Sequence, residues 1–244
     1  MQITVLGCFG PYPPAGGCCS GYLVRAKKTA VLLDCGNGVL SRLRYYLEPW
    51  ELDAVVVSHL HSDHTADLFI LRYALQFARQ RQKQGEALPV FAPAEPKEEF
   101  VRLSYKEYLQ ARPARPGESL QIGELEFSFA PGVHAVPANI ITVKSGQQKF
   151  VYSGDTEYCP QLAQAAAGAD LLLCEANFLR SDLENGGRNH LAAFQAAEIA
   201  GAAGVKRLVL THHHPERKPE DALQEAGTVF SHVELAYPGS SYEL

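Results

Sequence analysis

The chain contains no Cys-x-x-Cys pair, which excludes a zinc ribbon. No apolar stretch approaches the roughly 18–20 residues that a membrane span needs. Met1 leads straight into Gln2-Ile3-Thr4-Val5-Leu6, an apparent first strand, with neither a basic segment nor a long apolar one ahead of it. The expectation is a cytoplasmic protein with no membrane partner. Its six cysteines (8, 18, 19, 35, 159, 174) do not form a disulfide framework at a length of 244 residues, and in the cytosol they would be reduced. Cys18 and Cys19 are adjacent, as in a redox pair or soft-metal site, but two small residues in a glycine-rich turn is the simpler reading. Lysine and arginine form no stripe beyond the short Arg79-Gln80-Arg81-Gln82-Lys83, and the net charge is −5. That is not the electrostatic footprint of a dedicated nucleic-acid binder. There is one tryptophan, there is no low-complexity tract, and no glycine-rich dinucleotide fingerprint follows the first strand.

What is present fits a globular enzyme. At 46% hydrophobic and 20% charged residues over 244 positions, the chain can bury a substantial core, and a single domain over 1–244 is expected. Strand-like runs recur at 2–6, 21–25, 30–34, 54–58, 89–91, 124–130, 138–143, 149–153, 170–174, 207–211 and 233–236. Helix-like runs fall near 38–47, 66–82, 96–109, 158–167, 190–203 and 219–229. Two sheets with helices on their outer faces, an αββα four-layer sandwich, fit this order better than a doubly wound sheet. The candidate accessory region is 68–118, whose first helix either packs on the core through Leu68, Leu71, Leu75 and Ala78 or forms a lid beside a site. The glycine-rich Gly7–Gly21 loop, with Phe9 and Tyr12, either lines a cleft or is only a turn.

The most informative segment is Ser58-His59-Leu60-His61-Ser62-Asp63-His64, which follows the buried run Ala54–Val57 and precedes a helix. His59, His61, Asp63 and His64 therefore sit on a strand-to-helix loop where several imidazoles and a carboxylate can converge. Imidazole nitrogen and carboxylate oxygen are the usual ligands of a hydrolytic Zn²⁺ site that keeps a position open for water. The bland alternative is that Asp63 caps the next helix and the histidines are solvated.

His-x-His-x-Asp-His after a buried strand resembles the first metal motif of the metallo-β-lactamase superfamily. Later landmarks of that family follow in order and cover nearly the whole chain. Leu33-Asp34-Cys35-Gly36 is similar to its Asp-x-Gly turn. His134 stands in Pro131-Gly132-Val133-His134-Ala135-Val136-Pro137, Asp155 in Tyr152-Ser153-Gly154-Asp155-Thr156, and His212 closes Leu208-Val209-Leu210-Thr211-His212. The resemblance implies the αββα fold with metals at one edge of the sheets. It also implies that His59, His61 and His134 hold one ion and Asp63, His64 and His212 the other, with Asp155 bridging. The implied cofactor is two Zn²⁺, with Mn²⁺ or Fe as substitutes. Two such ions about 3.5–4 Å apart share a water, lower its pKa towards 7 and polarise a phosphoryl or carbonyl oxygen, so that a bridging hydroxide becomes the nucleophile. Asp34 is expected to orient a ligand histidine or its own turn rather than to bind metal. His213 and His214 receive no role.

The superfamily does not by itself decide the substrate. Asp155 stands where the zinc β-lactamases typically carry Cys, and His-x-Val-Pro around His134 resembles the RNase Z branch rather than the Pro-Gly-His-Thr of glyoxalase II-like thioesterases. Leu173-Cys174-Glu175-Ala176-Asn177 resembles the His-Glu-Ala-Thr motif of RNase Z, and Asn189-His190-Leu191-Ala192 its second histidine motif. By that resemblance Glu175 and His190 pair to protonate the leaving alkoxide of a phosphodiester, chemistry suited to an imidazole at neutral pH. Asp63, Glu175 and His190 are thus the expected catalytic residues. Cys174, Asn177 and the run Thr211-His212-His213-His214 depart from the RNase Z pattern, and no counterpart of its basic tRNA-clamping arm is evident. The expectation is a dinuclear zinc phosphodiesterase with a small phosphodiester substrate, with tRNA or other nucleic acid not favoured, and a homodimer as the assembly. A thioester or lactone hydrolase, and a catalytically idle metal-bound sensor or scaffold, are the alternatives.

Overall fold

Strand residues bury on both faces in this protein, which demands a covering layer on each side of every sheet. The computed structural model describes residues 1–81 and 86–244. The chain runs β1 (Gln2–Gly7), β2 (Gly21–Ala26), β3 (Thr29–Leu33), α1 (Val39–Leu43), β4 (Ala54–Val56), α2 (Ser62–Thr65), α3 (Leu68–Gln80), β5 (Leu88–Ala92), α4 (Lys97–Arg102), β6 (Leu109–Pro113) and β7 (Ser119–Ile122). It continues with β8 (Leu125–Pro131), β9 (Asn139–Ser145), β10 (Gln148–Tyr152), α5 (Pro160–Ala166), β11 (Leu171–Glu175), α6 (Arg180–Glu184), α7 (Ala193–Ala202), β12 (Leu208–Thr211), α8 (Pro219–Gly227), β13 (Val233–Leu235) and β14 (Ser241–Glu243).

Two seven-stranded mixed sheets result, one ordered β14-β1-β2-β3-β4-β5-β6 and the other β13-β12-β11-β10-β9-β8-β7. Three apolar layers hold them. Alternate residues such as Val31 and Leu33 on β3 and Leu171 and Leu173 on β11 meet between the sheets. The intervening Leu32 packs outward with Val39 and Leu43 of α1 and Leu68 and Leu71 of α3. Leu172 and Cys174 pack outward with Leu162 of α5, Ala196 and Ile199 of α7 and Ala222 of α8. The period of two along each strand thus distributes one apolar run between two cores. This is the expected αββα sandwich.

Direction matters more than order for the site. β3, β4, β5 and β6 are mutually parallel, as are β10, β11, β12 and β13. β1 and β8 each run antiparallel to a strand that is itself antiparallel to β3 or β10. The C-terminal ends of β1, β3 and β4 therefore share one edge of their sheet, and those of β8, β10, β11 and β12 share one edge of theirs. Loops leaving these ends carry all of the candidate chemistry.

Several element expectations are corrected. The helix expected at 96–109 is only α4, because Tyr105–Tyr108 forms a turn with Lys106 in the left-handed region and Leu109 opens β6. The helix expected at 190–203 begins at Ala193, so His190 stands on the loop before it. β6, β7 and β14 were not expected: β6 and β14 alternate weakly with exposed polar residues, and β6 and β7 lie at the sheet margins. Residues 68–118 are not a helical appendage, since β5 and β6 extend the first sheet while Leu68, Leu71, Leu75 and Ala78 of α3 are buried. The expected end of that first helix at Gln82, like Lys83 of the short basic run, lies outside the described residues.

Candidate metal centre

After β4 the chain turns so that His59 is fully buried and His61 half-buried, with α2 beginning one residue later. His59 Nε2 lies 3.0 Å from His61 Nδ1, and His134 Nε2 lies 3.1 Å from the same atom. Three imidazole nitrogens so close together suit one cation. Bonds of about 2.0–2.1 Å around a tetrahedral ion separate ligand nitrogens by about 3.3 Å.

A second group forms beside it. His212 Nε2 lies 3.2 Å from Asp63 Oδ2 and 3.3 Å from Asp155 Oδ2. His64 Nε2 lies 3.5 Å from Asp63 Oδ2 and 3.4 Å from Asp155 Oδ1. Asp155 Oδ2 also lies 3.7 Å from His59 Nε2 and 4.0 Å from His134 Nε2, so its carboxylate stands between the two groups. His64 Nε2 and Asp155 Oδ1 are buried without a hydrogen-bond partner. Buried polar atoms are normally satisfied, and these two face one another inside a set of histidine and carboxylate donors. The residues fit divalent metal ions.

The surrounding residues set the donor atoms. Asp34, buried and with φ of 54°, receives the Ser58 backbone N–H (2.7 Å), the Ser58 hydroxyl (2.8 Å), the Tyr152 hydroxyl (2.8 Å) and His64 Nδ1–H (2.7 Å). Asp34 therefore leaves His64 Nε2 free to ligate. His134 Nδ1 donates to the Asn189 carbonyl at 2.8 Å. His212 has φ of 54°, and the Asn177 amide bridges its carbonyl (3.0 Å) to that of Gly10 (2.9 Å). A Cβ at Gly10 would fall 1.8 Å from His212 Nε2, so a glycine is required against that ring.

The carboxylates stay anionic despite burial. For Asp63 and Asp155 burial raises the pKa, but the imidazoles around them outweigh it and hold both well below the usual carboxylate range. Burial, with the charge of His64, pushes His59 below the ordinary histidine value.

Glu175 closes β11, fully buried, and His190 Nδ1 lies 3.1 Å from its Oε2 and 4.0 Å from Asp155 Oδ2. Burial disfavours a charged imidazole at His190, but the Glu175 carboxylate more than offsets this and pushes its pKa up to about 9. The residues expected for the acid pair are thus brought against the ligand cluster. His213 turns away, donating from Nε2 to the Ala236 carbonyl at 3.0 Å, while His214 accepts the Glu216 backbone N–H at 3.2 Å. Cys18 and Cys19 are buried free thiols outside the ligand groups. Phe9 packs edge-on to His213, and the Tyr12 hydroxyl meets Glu216, so that loop braces the edge of the site. Gly10, Glu157 and the Asn189 carbonyl had no signal in the sequence.

An αββα sandwich whose strand ends gather a histidine and aspartate cluster of this kind defines a metal-dependent hydrolase. The profile of the beta-lactamase superfamily domain matches residues 29–213. The probable metallo-hydrolase YhfI of Bacillus subtilis is 34% identical over 244 residues, spanning all of both chains. The crystal structure of that metallo-β-lactamase fold protein superimposes with a TM-score of 0.95 over 100% of this chain and 99% of the other. A ribonuclease Z of Trichodesmium erythraeum is 28% identical over 306 residues, covering 100% of this chain and 95% of the relative. Human tRNase Z, short form, shares the fold at a TM-score of 0.77 and 20% identity, covering 100% of this chain and 99% of that one. The chain belongs to the metallo-β-lactamase superfamily.

Proposed function

We propose that the protein is a dinuclear zinc phosphodiesterase acting on a cyclic or small linear phosphodiester. In this reading His59, His61 and His134 hold one ion, Asp63, His64 and His212 the other, and Asp155 lies between them. Bound there, the ions supply Lewis acidity and a water of lowered pKa. The chain's own residues do the rest. Asp34 and the Asn189 carbonyl fix the tautomers of His64 and His134, so that each presents Nε2. Glu175 holds His190 by Nδ1, leaving Nε2–H to deliver a proton to the departing oxygen.

The observation that carries the reading is the Glu175–His190 pair, 3.1 Å apart and within 4.0 Å of Asp155. A thioester hydrolase has less need of such an acid, since thiolates leave readily. The relatives named ribonuclease Z support phosphodiester chemistry. A precursor tRNA is disfavoured: the described residues of 68–118 build sheet strands and two helices rather than a basic arm.

The test is His190→Ala on metal-loaded protein with matched alkyl and activated aryl diesters. Alkyl diester hydrolysis should fall roughly 10²–10⁴-fold with metal content unchanged. Aryl diester hydrolysis should fall much less, because an activated phenolate departs without a proton. Equal, small losses on both substrates would discard the proposed acid.

A further inference from the structure

Glu157 follows Thr156 on the loop after β10 and belongs to neither ligand group. Its Oε1 accepts the Asn189 backbone N–H at 2.8 Å, and its own N–H donates to the Val133 carbonyl at 2.8 Å. The Asn189 carbonyl in turn accepts His134 Nδ1–H at 2.8 Å. These three bonds close a ring that joins Val133-His134, Glu157 and Asn189. A second ring shares its Glu157–Asn189 edge. The Thr156 N–H donates to Glu175 Oε1 at 2.6 Å, Glu175 holds His190 at 3.1 Å, and His190 is bonded to Asn189. Asn189 has φ of 71°, a left-handed conformation that asparagine adopts more readily than most other non-glycine residues.

We infer that Glu157 is a positioning residue that, through the Asn189 turn, sets the metal ligand His134 and the acid His190 in one frame. The part concerning the acid rests on the phosphodiesterase reading; the part concerning His134 does not. One carboxylate thus couples the geometry of an ion's ligand to that of the proton donor. Loss of the carboxylate should loosen both together, because the Asn189 peptide then has nothing to hold its N–H.

The experiment compares Glu157→Ala and Glu157→Gln in the full chain. Zinc affinity is measured by competition with a chromophoric chelator, and hydrolysis with the same alkyl and aryl diester pair. Glu157→Ala should weaken zinc at one of two sites about 10–100-fold, the range for partners of ligating histidines. It should also lower the alkyl-to-aryl rate ratio about tenfold or more. Glu157→Gln retains a carbonyl oxygen for Asn189 and should recover most of both losses. In a His190→Ala background, Glu157→Ala should leave the rate ratio unmoved while still weakening zinc. If Glu157→Ala lowers thermal stability but moves neither zinc affinity nor the rate ratio, the inference fails. If zinc affinity falls but the parent protein hydrolyses neither diester, the phosphodiesterase reading fails and the link to His134 stands.

Discussion

At the scale of single residues, the cluster is redundant in donors but not in geometry. His61 Nδ1 lies within 3.1 Å of both His59 Nε2 and His134 Nε2, so its loss opens one ligand group at its middle. Under the dinuclear reading, His61→Ala should lose metal and hydrolysis together, and a strong chelator should abolish hydrolysis in the parent chain. Elemental analysis of purified protein should find close to two divalent ions per chain; one ion with full activity would contradict the assignment. His59, His61, Asp63 and His64 were legible because they crowd one loop after β4, whereas His134, Asp155 and His212, distant in the chain, were read only through the family resemblance. Glu157 was not legible. It acts on a backbone N–H thirty-two positions away, and a backbone partner leaves no mark on residue type. Gly10 was equally silent, being one glycine among several in its loop, and only the His212 ring packed against it shows why it must be glycine.

At the scale of elements, α3 shows how a helix serves the sheet rather than the site. Leu71 is fully buried in the layer between α3 and the first sheet, whereas Ile70 beside it is 56% exposed. Leu71→Ala should cost about 2–5 kcal/mol in chemical denaturation, through lost burial and the cavity left behind. Ile70→Ala should stay within about 0.5 kcal/mol. Equal losses would mean that α3 does not pack as described. The long, strongly patterned elements were readable because two apolar layers demand periodicity on both faces. β6 and β14 were not, since a margin strand such as Ser241-Tyr242-Glu243 buries one side chain in three and its pattern is too short to register.

At the scale of the molecule, the first sheet depends on a strand distant in sequence, whereas the second pairs only consecutive strands. β14 pairs with β1, and its Tyr242 is buried, the hydroxyl 3.5 Å from the Leu235 carbonyl. Burial, helped by Glu234, pushes its pKa from 10.0 up to about 12. Because the folded pKa lies above the unfolded one, this stabilisation is complete below about pH 10 and is lost as pH rises towards 12. Tyr242→Phe should therefore flatten the fall of Tm over that window; an unchanged slope would remove Tyr242 from the alkaline transition. The pairing directions carry a last consequence. From β1 to β6 the successive pairings run antiparallel, antiparallel, parallel, parallel, parallel, and from β8 to β13 the same series recurs. In this register Asp34 after β3 corresponds to Asp155 after β10, and the end of β4, which leads into the His59–His64 loop, to the end of β11, where Glu175 stands. The two halves thus share one series of strand directions and divide the site's residues between them. The first contributes His59, His61, Asp63 and His64, and the second His134, Asp155, Glu175, His190 and His212. Neither half alone could assemble either ligand group, so the site exists only where the strand-end loops of the two sheets meet.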